Sequence, residues 1–179
     1  MKSQKRKYTK ILDVTENLAL YLDILSGQKH LQASTWYAKG SLLHKFSARE
    51  RLTQPTYLTV QIDHHQHIHL APEFLQYINH SCEPNVYFDV SKREVRCLCD
   101  IEAGEEIAFF YPSTEWSMVQ AFECTCGNPS CLGIINGAAY LDKNLIKKYK
   151  FADHIMEKLI EQPLIESGKK RVFFKWAHA

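Results

Sequence analysis

The stretch NHSCEPN spans residues 79–85. An amide, an imidazole, a hydroxyl and a thiol stand side by side, and Pro84-Asn85 closes the run. It directly follows the apolar-rich Phe74-Leu75-Gln76-Tyr77-Ile78. Packing has little use for four consecutive polar side chains, whereas a chemical site does. The thiol has partners further along the chain, where residues 122–133 read FECTCGNPSCLG. Cys124, Cys126 and Cys131 form C-x-C-x4-C, with Gly127 and Asn128-Pro129 supplying a tight turn between them. Three thiolates held this close repel one another unless a cation neutralises them, and Zn²⁺ takes a tetrahedral shell of such ligands. Three ligands leave one position for water or for a distant residue, and Cys82 is the natural fourth. A closed all-thiolate site of this kind is structural rather than catalytic.

The rest of the composition narrows the class. The chain has 179 residues, of which 45% are hydrophobic and 23% charged, and its formal net charge is +2. That is ordinary for a globular protein and too mild to indicate nucleic-acid binding. No window has the run of roughly 18 apolar residues that a membrane span needs. The basic N-terminus MKSQKRKYTK lacks a following apolar region, so it is expected to be a solvated arm (residues 1–13) rather than a secretory signal. These features imply an intracellular setting, cytoplasmic or nuclear, where thiols stay reduced. The six cysteines are then metal ligands or core residues. Cys97 and Cys99, alternating with Arg96 and Leu98, are expected in the core.

Short apolar runs separated by turn residues point to strands over Leu42–Phe46, Tyr57–Ile62, Val86–Val90 and Glu94–Cys99. Ser91-Lys92-Arg93 reads as a hairpin connection and Gly104 as another turn. Val14, Leu18, Leu22 and Leu25 fit either a short helix or an irregular start. After Leu141 the period becomes helical, with Asp142 as N-cap and Asp153 as the cap of a second segment, up to Pro163. The basic, aromatic Lys169–Trp176 reads as a packed tail or a substrate-contacting arm.

Three motifs in order, NHSCEPN at 79–85, GEEIAFFY at 104–111 and CTCGNPSC at 124–131, resemble a SET-domain protein lysine methyltransferase with a post-SET cysteine cluster. The resemblance covers about Leu31 to Leu141. It implies a mainly β fold, the SET-type β-clip of small curved sheets with a pseudoknot where the NHSC and GEE segments meet, plus a C-terminal helical extension. Domains are expected at 14–112 (catalytic), 113–141 (zinc-binding) and 142–179 (extension). It also implies S-adenosylmethionine in a pocket on one face, a lysine channel from the other, and one structural Zn²⁺. Asn79 and His80 match the pair that contacts the cofactor. Leu31 and Phe122 are further candidates for that pocket. Tyr111 and Phe109 match the residues that line the methyl-transfer point. Cys82, Cys124, Cys126 and Cys131 match the zinc ligands. The partner is a protein or peptide presenting a lysine, with no direct nucleic-acid or membrane contact expected.

The chemistry accounts for these residue types. Attack on a sulfonium methyl group needs a neutral amine, and free lysine titrates near 10.4. A narrow apolar channel disfavours the charged form by desolvation. Positioning then does most of the work, without a strong general base. Phe109, lacking a hydroxyl, leaves room for di- or trimethylation.

The sequence also departs from the family. Where a Gly-x-Gly turn is usual, Gly27-Gln28-Lys29-His30-Leu31 retains one glycine, and a non-glycine residue at a close-approach position costs contact or strain. This supports a rival reading, a catalytically inactive zinc-stabilised scaffold. Ala108 and Phe110 replace a usual Thr and Asp. Finally, Asp63-His64-His65-Gln66-His67-Ile68-His69 resembles a metal site, since His65, His67 and His69 would share a strand face. The plainer expectation is partly buried or solvent-facing histidines on a hairpin.

Overall fold

The computed structural model describes residues 7–161. Tyr8–Thr15 (β1), Leu18–Asp23 (β2) and Lys29–Ala33 (β3) form an antiparallel sheet in that order. Leu42–Lys45 (β4) and Ser47–Leu52 (β5) diverge into two different sheets. Thr59–Gln61 (β6) and His67–Ala71 (β7) join the second, in the order β5-β7-β6. Asn79–His80 (β8), Val86–Asp89 (β9), Glu94–Cys97 (β10) and Ala108–Phe109 (β11) complete the first, ordered β4-β10-β9-β11-β8. Phe122–Glu123 (β12) and Ile134–Ile135 (β13) make a small ribbon beside the cysteines. Two helices follow, Lys143–Ile146 (α1) and Asp153–Glu161 (α2). No helix among the described residues is long and apolar enough to cross a membrane.

The expected strands form, trimmed at their ends, and the fold is the expected set of small sheets. The hairpin at 91–93 lets β9 and β10 pair in register, Glu94 opposite Asp89 and Cys97 opposite Val86. Asp142 caps α1, its carboxylate accepting from the Asn144 N–H at 2.9 Å. The chain re-enters helix at Asp153 after a break at Phe151-Ala152. Pro163 and the tail 169–176 lie outside the described residues.

Two expectations are corrected. The arm is already the strand β1 from Tyr8, and Val14–Leu25 is neither helix nor irregular but the close of β1, a turn and β2. Leu18, Ala19 and Leu20 are buried by this hairpin, so the apolar spacing that imitates a helix belongs to a half-buried strand. Cys97 is in the core as expected, but Cys99 is exposed, because β10 ends at Cys97 and the chain turns outward.

The pseudoknot accounts for the polar run NHSCEPN. β11 lies parallel between β8 and β9, with Ala108 opposite Asn79 and Phe109 opposite both His80 and Val86. Asn85 clamps this threaded strand. Its amide donates to Glu106 O at 2.8 Å and its Oδ1 accepts from Ala108 N at 2.9 Å. Ser81 N–H donates to Phe109 O at 3.0 Å from the other side. The polar run thus satisfies backbone groups that the crossing would otherwise leave buried and unpaired.

Candidate active site

Two of the cavities that flank the crossing share part of their lining. The first, of about 540 Å³, is largely polar, and Asp23, Gln28, Asn79, His80, Glu106 and Asn128 are among the residues that line it. The second, of about 410 Å³, is lined on one side by Leu70, Leu75, Ile78, Phe88 and Phe109. Gln28, Tyr111 and Phe122 line both cavities. One polar chamber and one apolar chamber therefore meet at two aromatic rings 6.0 Å apart, set edge to face.

His80 is held from two sides. Its Nδ1 accepts the Tyr111 N–H at 3.3 Å and its Nε2 lies 3.4 Å from Cys82 Sγ. The first bond places the ring proton on Nε2, facing the sulfur. Burial lowers the imidazole to about 4, so it is neutral at physiological pH. Asn79 donates to Lys29 O at 3.2 Å and to Glu106 Oε1 at 3.0 Å, fixing the cavity wall to β3. The Tyr111 hydroxyl donates to Ile78 O at 3.3 Å, which turns its lone pairs toward open space. Burial raises this phenol well above its usual range and keeps it protonated. Phe109 packs against Phe88 and Tyr111 at 4.6 and 4.7 Å.

Leu31 is placed differently. It is fully buried in the core and does not line the polar cavity. Its carbonyl accepts from Ile107 N and thereby anchors β3 to the threaded segment. The neighbouring departures from the family pattern are also turned away. His30 is buried between Tyr8 and Tyr21, and the Lys29 ammonium sits 5.1 Å from the Tyr77 ring centre. Gly27 keeps a positive φ of 72° in the turn, and Asp23 caps the same turn through Leu25 N at 2.8 Å. Neither Lys29 nor His30 enters the cavity wall.

Cys82, Cys124, Cys126 and Cys131 come together, their sulfurs all within 4.8 Å of one another. Four sulfurs bound at about 2.3 Å to one zinc ion stand about 3.8 Å apart; Cys82 Sγ and Cys124 Sγ are 3.9 Å apart. The donor set and its spacing fit Zn²⁺. Burial pushes the Cys82 thiol up to about 11. Among the described residues this is the one cluster with metal-binding geometry. The histidine run is not such a cluster: β7 starts at His67, which is buried, while His65 is exposed in the preceding bend.

Several site residues carry no signal in the sequence. Asn85 and Ser81 lie inside the quoted motif, but their backbone-clamping role depends on the crossing. Tyr149 stacks on Phe110 at 3.7 Å and donates to Cys82 O at 2.8 Å, tying the C-terminal extension to the cluster. The apolar Phe110, standing where an acid is usual, makes that stack. Glu115 lines the apolar cavity and is buried; a lone acid after Tyr111-Pro112 does not stand out in sequence.

Comparison with known proteins agrees with this geometry. The SET domain family matches residues 3–112, and the chain belongs to that family. The match begins well before residue 14, in keeping with β1 being part of the domain. Methyltransferase flvH of Aspergillus flavus is 39% identical over 122 residues, 67% of this chain and 68% of its own. A Schizosaccharomyces pombe histone-lysine N-methyltransferase, H3 lysine-36 specific, is 38% identical over 68 residues, 35% of this chain and only 8% of its own. KRYPTONITE, solved in complex with mCHG DNA and SAH, superposes with a TM-score of 0.53 at 20% identity, covering 66% of this chain and 28% of that one. A second KRYPTONITE structure, with mCHH DNA, an H3(1-15) peptide and SAH, gives 0.51 at 21%. At such identities the structures establish the shared fold.

Proposed function

We propose that this protein transfers a methyl group from S-adenosylmethionine to a lysine side chain of a protein substrate. The observation that carries the reading is the meeting of the polar and apolar cavities at Tyr111 and Phe122. Bound in the polar cavity, S-adenosylmethionine supplies an electrophilic methyl group. Asn79 and His80 line its place, the latter as a neutral ring that adds no charge against the sulfonium. Phe122 offers an aromatic face beside it. The SAH in the KRYPTONITE structures and the methyltransferase name of the fungal relative support this assignment.

The apolar cavity receives the lysine. Ile78, Phe88 and Phe109 exclude water, and desolvation favours the neutral amine over the ammonium. Tyr111, protonated and bonded to Ile78 O, directs an oxygen lone pair at the transfer point and orders the attacking nitrogen. Phe109 presents no hydroxyl, so the product is di- or trimethyl-lysine. Cys82, Cys124, Cys126 and Cys131 would hold one Zn²⁺, which would pin the 122–133 loop against the NHSC loop at the edge of the polar cavity. The protein works inside the cell, in cytoplasm or nucleus. The rival, a scaffold without catalysis, rests on the shortened glycine turn; Lys29 and His30 pointing away from the cavity weigh against it.

The test is transfer of isotope-labelled methyl groups to a lysine peptide library, read by mass spectrometry. Label on lysine, absent when lysine is replaced by norleucine, is the expected result. No label on any peptide, with zinc-replete protein, would overturn the proposal.

A further inference from the structure

Glu115 lines the apolar cavity but has no role in the proposed transfer. It is 7% exposed, and among the described residues it is the one charged side chain lining the apolar cavity. Its carboxylate is held firmly in place. Oε1 accepts from Gln61 N at 2.6 Å. The Gln61 side chain in turn accepts from Trp116 N at 2.9 Å. The backbone around it is braced by the C-terminal segments: Ser113 O accepts from Ala152 N, Thr114 O faces His154 Nε2 at 3.0 Å, and Glu115 O accepts from Ala138 N. Gly137 permits that docking, since a Cβ there would stand 2.6 Å from Trp116 O.

Among the described residues, no cation lies within hydrogen-bond reach of the carboxylate. The nearest basic group is His67 Nδ1, 3.7 Å from Oε2 and beyond hydrogen-bond reach; that nitrogen has no hydrogen-bond partner among the described residues. Burial lowers His67, so its ring is neutral. The other titratable groups packed on this side are Asp63 before β7 and His154 and Lys158 on α2. His154 is also lowered by burial, and Lys158 lies over the Trp116 ring at 5.5 Å. A buried carboxylate without a counter-ion is costly, and burial accordingly raises Glu115 to about 7. A site that keeps such a group at a cavity wall is built to receive a positive charge.

The charge does not belong at the methyl-transfer point. An ionised carboxylate beside the reacting nitrogen would hold it as ammonium. Both residues line the one cavity, and Glu115 N–H donates to Tyr111 O at 3.1 Å, but their side-chain polar groups are held by different partners. Tyr111 Oη is bonded at Ile78, before β8, whereas Glu115 is bonded at Gln61, the end of β6, and takes no part in the polar cavity. The rim between cavity and solvent carries the exposed Tyr57 and Val119, apolar surface suited to the stem of a long side chain.

We propose that Glu115 forms a second subsite in the apolar cavity, which takes the lysine or arginine side chain of a residue neighbouring the target lysine. The substrate is then a segment with two adjacent basic residues, and Glu115 is a positioning and specificity residue. The inference rests on reading that cavity as the substrate channel, yet binding alone can test it.

The probes are n-butylguanidinium and its neutral isostere n-butylurea, titrated into the 179-residue chain at a pH of about 8.5, where Glu115 is ionised, and followed by NMR. A guanidinium is not a lysine amine, so the result does not depend on methyl transfer. A charge-assisted hydrogen bond should favour the cation about ten-fold or more. Glu115→Gln, which keeps the acceptor for Gln61 N, should abolish the preference. Acidification to a pH of about 5.5 should reduce it in the wild type, a measurement that needs no variant. No preference in the wild type, or a preference that survives either Glu115→Gln or acidification, overturns the subsite. If the preference behaves as expected but no lysine is ever methylated, the subsite stands and the methyltransferase reading falls. If lysine is methylated but the preference is absent, the methyltransferase reading stands and the subsite falls.

Discussion

The backbone N–H of Tyr111 donates to Nδ1 of His80 across the crossing, at 3.3 Å. One bond thus connects the last residue of GEEIAFFY to the second residue of NHSCEPN, and through His80 Nε2 the contact continues to Cys82 Sγ. Tyr111, the wall of the polar cavity and the four-cysteine cluster form one continuous unit.

Tyr111→Phe separates binding from chemistry in this unit. The ring still lines both cavities, but the oxygen proposed to order the amine is gone. Turnover should fall by about 100-fold or more, as for other removals of a transition-state hydrogen bond. S-adenosylmethionine affinity should change by less than about three-fold. Loss of affinity as large as the loss of turnover would show that Tyr111 serves the ground state instead.

The four-cysteine cluster should behave as a folding element. Chelation of zinc, or Cys124→Ser, should lower the melting temperature by roughly 10 °C or more, because metal free energy is folding free energy here. Thermal melts with zinc content measured in parallel provide the check. Unchanged stability at unchanged zinc content would reject this ligand set.

Phe109→Tyr tests product multiplicity. The new hydroxyl would emerge beside Tyr111, 4.7 Å between ring centres, and crowd the amine. Mass spectra should shift toward monomethyl product. An unchanged product ratio at comparable turnover would remove Phe109 as the determinant.

Glu115 makes a prediction about pH and stability. Burial raises its folded-state pKa to about 7, above that of an unfolded glutamate near 4.3. The unfolded chain therefore loses this proton first, and the group costs stability progressively as pH rises from about 4.5 to 7. Glu115→Gln should gain on the wild type over that window, by up to about 3 kcal/mol. Urea unfolding of both proteins at each end of the window measures this; a difference independent of pH would mean that Glu115 titrates normally.

Much of the site can be read in the sequence because its residues are chemically expensive. Cys124-x-Cys126 with a turn behind it has few uses other than a metal, and NHSC places a thiol and an imidazole where no core needs them. Strands β9 and β10 are legible from alternation and from the 91–93 turn. β1 is not, because Tyr8–Asp13 is exposed throughout and its basic composition matches a solvated arm. Nor is the place of Leu31, since a core leucine and a cavity leucine look alike until β3 is seen to bond Ile107. Glu115 and Tyr149 gain their meaning only from contacts 54 and 67 residues away along the chain, which local pattern does not encode.

The most direct test of the central claim is calorimetric titration of S-adenosylmethionine into zinc-replete protein, with and without a lysine peptide. The geometry predicts saturable one-to-one binding at a micromolar-range affinity, weakened by about ten-fold or more in His80→Ala, which opens the cavity wall. Absence of binding in both conditions would contradict the account and leave the two cavities as features of a scaffold.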